Sequence, residues 1–346
     1  MVIILFLLLA ITLCGTTICS PNQFNSDYLS KDNTAAINGV FVVLVFLRHF
    51  SQYIVLSDSL GDSLFFEFNG YLGQLLVTTF LFYSGYGIMC SIQAKGSSYV
   101  NTIPRKRIFG VWVHFAIAVL LFLICNLIFG KTYDIKTVLL AFTGWTSIGN
   151  SNWYIFATLF LYLFVFAAFK ISKSHKVIGL LITSVLITAF VLVQIKVDRP
   201  QYCFNTIACY PFGMLFALIK PKAEKFLFKN DITYSLSLFV VFSLFVFSFG
   251  YIKNGVFFHS ISSVLFVILL VIISAKIKFK NGFLSLMGSH VFSIYILQRI
   301  PMMIFSSFGI NKNVYVFLIL SFLATIPLAL IFDKLMLPLD KKLKIK

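Results

Sequence analysis

The sequence predicts an all-α fold, a polytopic helical bundle embedded in a membrane. Of the 346 residues, 60% are hydrophobic and 17% are aromatic, while only 11% are charged. Apolar runs of bilayer length recur along the whole chain, and a transmembrane helix needs about 20 predominantly apolar residues. Lys and Arg gather between alternate runs, as membrane topology requires. These observations leave no separate soluble domain.

The lengths of the apolar runs predict eleven spans, which together define a ten-helix core and one extra N-terminal helix. In chain order the predicted spans are 2–19, 36–56, 70–92, 108–128, 153–169, 177–195, 204–219, 232–251, 256–274, 283–308 and 314–335. We assign residues 1–30 to the extra helix and its linker, and residues 31–346 to the ten-helix domain.

The first run is open to two interpretations, a signal peptide or a membrane helix. It lacks a basic region before the apolar residues, and cleavage would leave Lys31 on the outer side, against the pattern of the later loops. We therefore expect a retained helix.

The basic residues orient the bundle, because Lys and Arg accumulate on the cytoplasmic side. Most of the 28 Lys and Arg residues fall in one set of alternating loops. The other set holds only Lys131, Lys136, Lys196, Arg199, Lys253 and Lys312. The C-terminus is therefore expected in the cytoplasm, and the loop with Asp58, Asp62 and Glu67 outside. The net charge of +17 then reflects topology and attraction to anionic lipid, and predicts no nucleic-acid partner.

Motifs of soluble enzymes are missing from the sequence, which contains no H-E-x-x-H helix, no G-x-S-x-G elbow and no Walker loop. The six cysteines and five histidines show no metal-ligand spacing. We therefore predict no metal site and no permanently bound cofactor.

Polar residues inside the predicted spans point to a buried site. Arg48 and His49 interrupt the apolar run 36–56, and a cation at that depth costs roughly 2.5 to 3.5 kcal/mol. At ~1.5 Å per residue, His49 and Arg299 lie about 20 and 24 Å from the cytoplasmic ends of their spans. Gln74, Asn152 and Trp153 lie near the outer ends of other spans. This convergence predicts a transfer site within the membrane.

The cluster Arg105, Lys106 and Arg107 precedes the span 108–128 at its cytoplasmic end. One interpretation is topogenic charge, because every loop on that side carries lysines. The other is an anion site, since Arg binds phosphate in a bidentate manner and a helix N-terminus favours negative charge. The second interpretation predicts a phosphorylated cytosolic donor.

Several motifs together give the chain a resemblance to a known family. They are Asn38-Gly39-Val40 with Arg48-His49-Phe50, the run Leu81 to Tyr86, Arg105-Lys106-Arg107, Asn152-Trp153-Tyr154, and the stretch from Gly288 to Gln298. In order and spacing they resemble the acyltransferase family 3 membrane proteins. Members of that family typically have ten membrane helices and move an acyl group, often acetyl from acetyl-CoA, onto cell-surface glycans.

The resemblance implies that His49 is the catalytic histidine, and the chain departs from the family at two positions. The basic residue that members carry eleven positions earlier falls on Asn38, which shares a helix face with His49 but supplies no charge. Lys31 or Arg48 would have to supply that charge instead. Gln298 stands where members often have histidine, and Gln cannot act as an acid or base.

The resemblance further implies a membrane O-acyltransferase of the bacterial plasma membrane. Acyl-CoA, expected to be acetyl-CoA, would be the cytoplasmic co-substrate, with Arg105, Lys106, Arg107 and Asn38 in its binding. The acceptor would be a hydroxyl of a cell-surface polysaccharide or its lipid-linked precursor. His49 would act as general base or nucleophile, and Arg48, Arg299 or Asn152 would stabilise the oxyanion. The candidates for substrate binding are Asn152, Trp153, Tyr83, Gln74 and Gln298.

Other readings stay open at this point. A transporter or flippase for a glycolipid or polar solute also carries intramembrane Arg and His, and a sensor or complex subunit would keep the fold without chemistry. Structural roles are open as well: His49 as an interior histidine bonded to a carbonyl of a neighbouring helix, and Tyr83 as a residue of helix packing. The expected partners are acyl-CoA, a glycan acceptor and the lipid bilayer. A homo-oligomer and a separate envelope partner that completes transfer are both left open.

Overall fold

A computed structural model describes residues 1–55 and 59–345. The chain is 79% helical with almost no strand, which confirms the all-α polytopic bundle. Three predictions fall outside the described residues, namely the end of the second span at Leu56 and the charges of Asp58 and Lys346.

Fifteen α-helices, with short 3₁₀, π and strand segments between them, form the described part of the chain. The helices are α1 Val2–Leu13, α2 Lys31–Phe50, α3 Leu60–Leu72, α4 Thr78–Val100, α5 Gly110–Ile128, α6 Ile135–Phe142, α7 Trp153–Ile171, α8 Lys176–Lys196, α9 Cys209–Leu227, α10 Asp231–Gly250, α11 Val256–Lys276, α12 Gly282–Ser289, α13 Val291–Leu297, α14 Arg299–Ser307 and α15 Val314–Lys342. The other segments are β1 Thr17–Ile18, β2 Ile277–Lys278, a π-turn Pro104–Phe109, and 3₁₀ turns Gly73–Val77, Gln201–Cys203, Ile252–Asn254 and Ile310–Lys312.

Eight helical stretches within the described ranges are long and apolar enough to span a membrane. They coincide with eight of the eleven predicted spans, so the chain is a multi-pass membrane protein. The other three predicted spans are helical as well, but they differ in length, charge or continuity. The first, α1, is only 12 residues long; α9 carries four charged residues and Pro221 in its last two turns; and 283–308 is broken.

The predicted first span, 2–19, is too long. The chain leaves the helix after Leu13, because Cys14 is extended and Gly15 has a φ of +79°. Thr17–Ile18 then pairs with Ile277–Lys278 as a short antiparallel ribbon. This pairing ties the N-terminal segment to the end of α11.

Helix α2 is the most enclosed span. It begins at Lys31, where the Ser30 side chain accepts a hydrogen bond from the Asn33 backbone N–H, and ends at Phe50, six residues before the predicted end. In its most apolar stretch 67% of residues are buried, against 11% for α10. The core therefore surrounds α2, and Arg48 and His49 lie in its last turn inside the bundle.

The predicted span 70–92 is wrong as one continuous helix. Gly73, with φ +42° and ψ −119°, ends α3, and the 3₁₀ turn Gly73–Val77 leads into α4. Gln74 therefore lies in this turn and not inside a helix. Few side chains tolerate the backbone angles at Gly73, which is why the break falls on a glycine.

The predicted span 283–308 is also wrong as one helix, because the backbone leaves the helical region at His290, with φ −109° and ψ 20°. Its first part, α12, packs backbone to backbone on α2. A Cβ on Gly39 would lie 1.9 Å from the Leu284 carbonyl oxygen, and one on Gly288 would lie 1.8 Å from that of Ala35. Two glycines thus permit a contact that side chains would prevent.

The last helix, α15, extends two turns beyond the predicted end at Leu335, to Lys342. The predicted end was too early because hydropathy detects only the apolar part of a helix, and the last two turns contain Lys, Asp and Pro. The extension carries Asp340 into the bundle, where its side chain is fully buried.

Candidate functional site

The centre of the site is a contact between α2 and the joint of α13 and α14. Nε2 of the Gln298 amide lies 3.0 Å from Nδ1 of His49, and Gln298 is 0% exposed. The same nitrogen also donates to the Tyr295 carbonyl at 3.3 Å. Gln298, between α13 and α14, thus presents a buried amide to the histidine.

The state of His49 depends on which face the amide presents. If the amide nitrogen donates, Nδ1 of His49 accepts and the ring proton lies on Nε2. If the amide is turned so that its oxygen accepts from Nδ1–H, Nε2 keeps a free lone pair. Only the second arrangement lets Nε2 act as a base or nucleophile.

Aromatic rings form one wall beside His49. The Tyr295 ring lies 6.0 Å from the His49 ring, and Tyr154 packs edge-on against Tyr295 at 5.4 Å. Trp153 contacts Tyr154 at 5.8 Å, so it reaches His49 only through two other rings. The buried hydroxyl of Tyr295 has no hydrogen-bond partner among the described residues, so it is available to a bound substrate.

Two arginines lie at this level. Arg299 donates to the Gln52 side chain and lies 6.0 Å from the Tyr53 ring, while its buried Nε has no partner within the described ranges. Arg48 is half-buried beside His49. Both supply positive charge near the imidazole, where an oxyanion would be stabilised.

A large cavity opens among the basic helix ends. Its volume is about 1330 Å³. Five cationic side chains line it, namely Lys31, Lys95, Lys106, Arg107 and Lys334. We call this the basic cavity.

Two of the three residues in the predicted basic cluster, Lys106 and Arg107, line the basic cavity, and Arg107 donates to the Tyr99 hydroxyl at 3.3 Å. Arg105 does not line it. Its Nε donates to the Leu343 carbonyl at 2.8 Å, because the π-turn points this side chain toward the end of α15.

A second cavity of about 430 Å³ adjoins the first, since both are lined by Lys31, Ser91, Arg107 and Tyr162. Tyr83 lines the second cavity, and its buried hydroxyl has no partner among the described residues. The Tyr162 hydroxyl bonds Ser84 at 3.1 Å. Tyr162 lies two turns from Tyr154 on α7, so this polar surface runs toward the His49 wall.

Three predicted residues are not brought into contact with His49. Asn152 donates to the Gly144 carbonyl at 2.8 Å and holds the loop before α7. Gln74 is half-buried in its 3₁₀ turn. Asn38 lies outside the lining of the basic cavity, and its buried Oδ1 has no partner within the described part of the chain. Lys31, seven residues earlier, does line the basic cavity.

Sequence reasoning missed several polar residues of the site. Tyr295 and Gln52 contact the central pair and its arginine. In the basic cavity, His114 bonds Asp340 at 2.7 Å, and His290 bonds Asp333. The sequence held one signal for these pairs. Asp333 and Asp340 lie near the end of the apolar helix α15, where a carboxylate requires a partner.

The fold and the site define a class, a multi-pass membrane protein with an enclosed polar site and a basic cavity. Comparison with protein families identifies it further: the acyltransferase family 3 model, described as an acyltransferase domain, matches residues 35–334. The chain belongs to this family and is a membrane acyltransferase. No curated protein and no solved structure matches it.

Proposed function

We propose that this acyltransferase moves an acyl group, acetyl in the first instance, from cytosolic acyl-CoA to a hydroxyl of a cell-surface polysaccharide or its lipid-linked precursor. The observation that carries the proposal is the buried His49–Gln298 contact at 3.0 Å inside an acyltransferase-family bundle. The positive-inside rule supports a plasma-membrane orientation with the basic cavity and the C-terminus in the cytoplasm.

The basic cavity suits a large anionic donor. Its volume of about 1330 Å³ exceeds that of pockets for drug-sized ligands, which span roughly 300–1,000 Å³. Acyl-CoA carries several phosphate charges, and Lys106 and Arg107 offer them charge-assisted hydrogen bonds. The donor binds as a co-substrate and leaves as CoA, so no permanently bound cofactor is required.

His49 performs the transfer in one of two ways. As general base, with the Gln298 amide turned so that its oxygen accepts from Nδ1–H, His49 uses Nε2 to take the proton from the acceptor hydroxyl while that oxygen attacks the thioester carbonyl. The carbon–sulfur bond then breaks, and the departing thiolate takes the proton back. As nucleophile, Nε2 attacks the thioester carbonyl, and the carbon–sulfur bond breaks to release CoA as thiolate. The acceptor hydroxyl then attacks the acylated imidazole, Nε2 leaves, and the hydroxyl proton passes to the thiolate. In both cases we expect Arg299, Arg48 and the Tyr295 hydroxyl to stabilise the oxyanion.

The glycan acceptor is expected on the side of the bundle opposite the basic cavity. The half-buried Trp153 and the exposed Tyr202 pack edge to face there at 6.4 Å, and such aromatic rings suit the apolar faces of sugars. The acceptor is acylated directly, or a second copy or a separate envelope partner completes the transfer.

Acyl-CoA turnover tests the proposal. Purified wild type and His49→Ala receive labelled acetyl-CoA with and without crude cell-surface glycan, and free CoA and glycan-bound label are measured. The expected result is glycan-bound label from wild type and none from the variant. A folded wild type that releases no CoA from any of several acyl donors refutes the proposal. Movement of a glycolipid without CoA release would favour a flippase.

A further inference from the structure

Two histidine–aspartate pairs lie on one wall of the basic cavity, away from His49. His114 of α5 bonds Asp340 of α15 through Nε2 at 2.7 Å. His290, between α12 and α13, bonds Asp333 of α15 through Nδ1, and Ser293 donates to the same carboxylate. All of these residues line the cavity, and the transfer chemistry uses none of them.

Each pair leaves one ring nitrogen facing outward from its aspartate. His290 keeps Nε2, and His114 keeps Nδ1. Within the described ranges neither nitrogen has a hydrogen-bond partner. When the N–H of a neutral imidazole donates to a carboxylate, the other nitrogen is an acceptor. When both imidazoles are neutral, the wall offers two oriented acceptors.

An aromatic ring completes the wall. Phe292 lines the same cavity, and its ring centroid lies 6.2 Å from that of His114. Flat rings of this kind stack on nucleobases, because every base has a π-face. One wall thus combines a stacking surface with acceptors for hydroxyl or amine groups.

The charges of the cavity are separated in a way that orients a nucleotide. Both carboxylates belong to α15, which also contributes Lys334, whereas the other four cations come from α2, α4 and the π-turn, namely Lys31, Lys95, Lys106 and Arg107. Carboxylates repel phosphate, so phosphates belong beside the cations and the uncharged nucleoside beside the histidines. Arg107 and His114 lie two helical turns apart, about 10 Å, a spacing that suits a phosphate and the base of the same nucleotide.

We propose that His114, His290 and Phe292 form the nucleoside subsite of the basic cavity, where ribose hydroxyls and the base amine donate to the two imidazoles and the purine stacks on Phe292. This proposal rests on the proposed function, in which the cavity holds a nucleotide-bearing acyl donor.

Substitutions of matched shape distinguish the loss of nucleoside recognition from the loss of the histidine–aspartate bonds. His290→Asn keeps an N–H near the position of Nδ1 but lacks Nε2, and His114→Gln keeps one near Nε2 but lacks Nδ1. Both therefore retain the bond to aspartate and remove only the outward nitrogen. Phe292→Leu removes the stacking ring, and Lys106→Gln is the control for phosphate binding.

Binding of three probes to the full-length purified protein decides the question: coenzyme A, adenosine 3′,5′-bisphosphate and 4′-phosphopantetheine, which lacks the nucleoside. Each variant of the subsite should weaken the first two roughly three- to tenfold, as the loss of one hydrogen bond or stacking contact does. Binding of 4′-phosphopantetheine should be unchanged. Lys106→Gln should weaken all three.

Equal losses for 4′-phosphopantetheine, or unchanged binding of coenzyme A, would overturn the subsite and leave the proposed function standing. Failure of the wild type to bind coenzyme A would overturn the donor cavity and the subsite together. If His114→Gln does not fold, His290→Asn and Phe292→Leu carry the test.

Discussion

Removal of the Gln298 amide should disable catalysis with little effect on the fold. Gln298 is 0% exposed, and its amide lies 3.0 Å from the His49 ring. Substitution by Met keeps a similar volume and leaves Nδ1 of His49 without its partner. An orphaned buried polar group costs about 1–3 kcal/mol, which lowers turnover roughly 5- to 150-fold if the loss falls on the catalytic geometry.

The assay is acetyl-CoA turnover by purified Gln298→Met, with Gln194→Met as matched control. Gln194 is also a buried glutamine, 3% exposed, with an unpaired Oε1 among the described residues, but it belongs to α8. The control should keep wild-type turnover. Gln298→Met with wild-type turnover would refute the assignment of Gln298 as a positioning residue.

Gln298→Glu reports which face of the amide His49 uses. An ionised carboxylate only accepts hydrogen bonds. If Nδ1–H donates to the Gln298 oxygen, the Glu variant keeps the histidine oriented with Nε2 free, and turnover survives. Loss of turnover as deep as that in Gln298→Met would show that the amide nitrogen is the group in use.

Three further predictions follow from single contacts. Arg107→Gln should raise the acetyl-CoA KM about tenfold. Arg105→Gln should leave the KM unchanged, since the Arg105 guanidinium already bonds a backbone carbonyl. Equal shifts of KM in the two variants would contradict this prediction. Gly288→Ala should lower the thermal unfolding midpoint, because the added Cβ would lie 1.8 Å from a carbonyl oxygen and overpacking costs about 1–3 kcal/mol. Gly70→Ala is the control, since a Cβ at Gly70 would have no atom within 4 Å. Tyr295→Phe should lower turnover without lowering that midpoint, because the hydroxyl has no partner in the described residues; a fall in the midpoint alone would indicate a structural role.

Local sequence signals predicted the bundle well and the site in part. Apolar runs located eight spans, and one charged pair in a buried run singled out His49. The family position that Gln298 occupies marked it as a candidate site residue. These signals depend on composition and local order, which a single sequence contains.

The rest depends on contacts between distant parts of the chain. His114 and Asp340 are 226 residues apart, and nothing local to either residue predicts the pairing. The interruption at His290 follows α12, which packs closely on α2, and hydropathy does not register an interruption inside an apolar run. Asn38 shares a periodic face with His49, but the basic cavity lies beside Lys31 instead.

The glycine contact between α2 and α12 has a consequence for how this site tolerates sequence change. Main-chain atoms at Gly39 and Gly288 set the approach of the two helices, so the register between the histidine and the segment leading to Gln298 does not depend on how neighbouring side chains interlock. A single added methyl group at either glycine would move the two halves of the site apart.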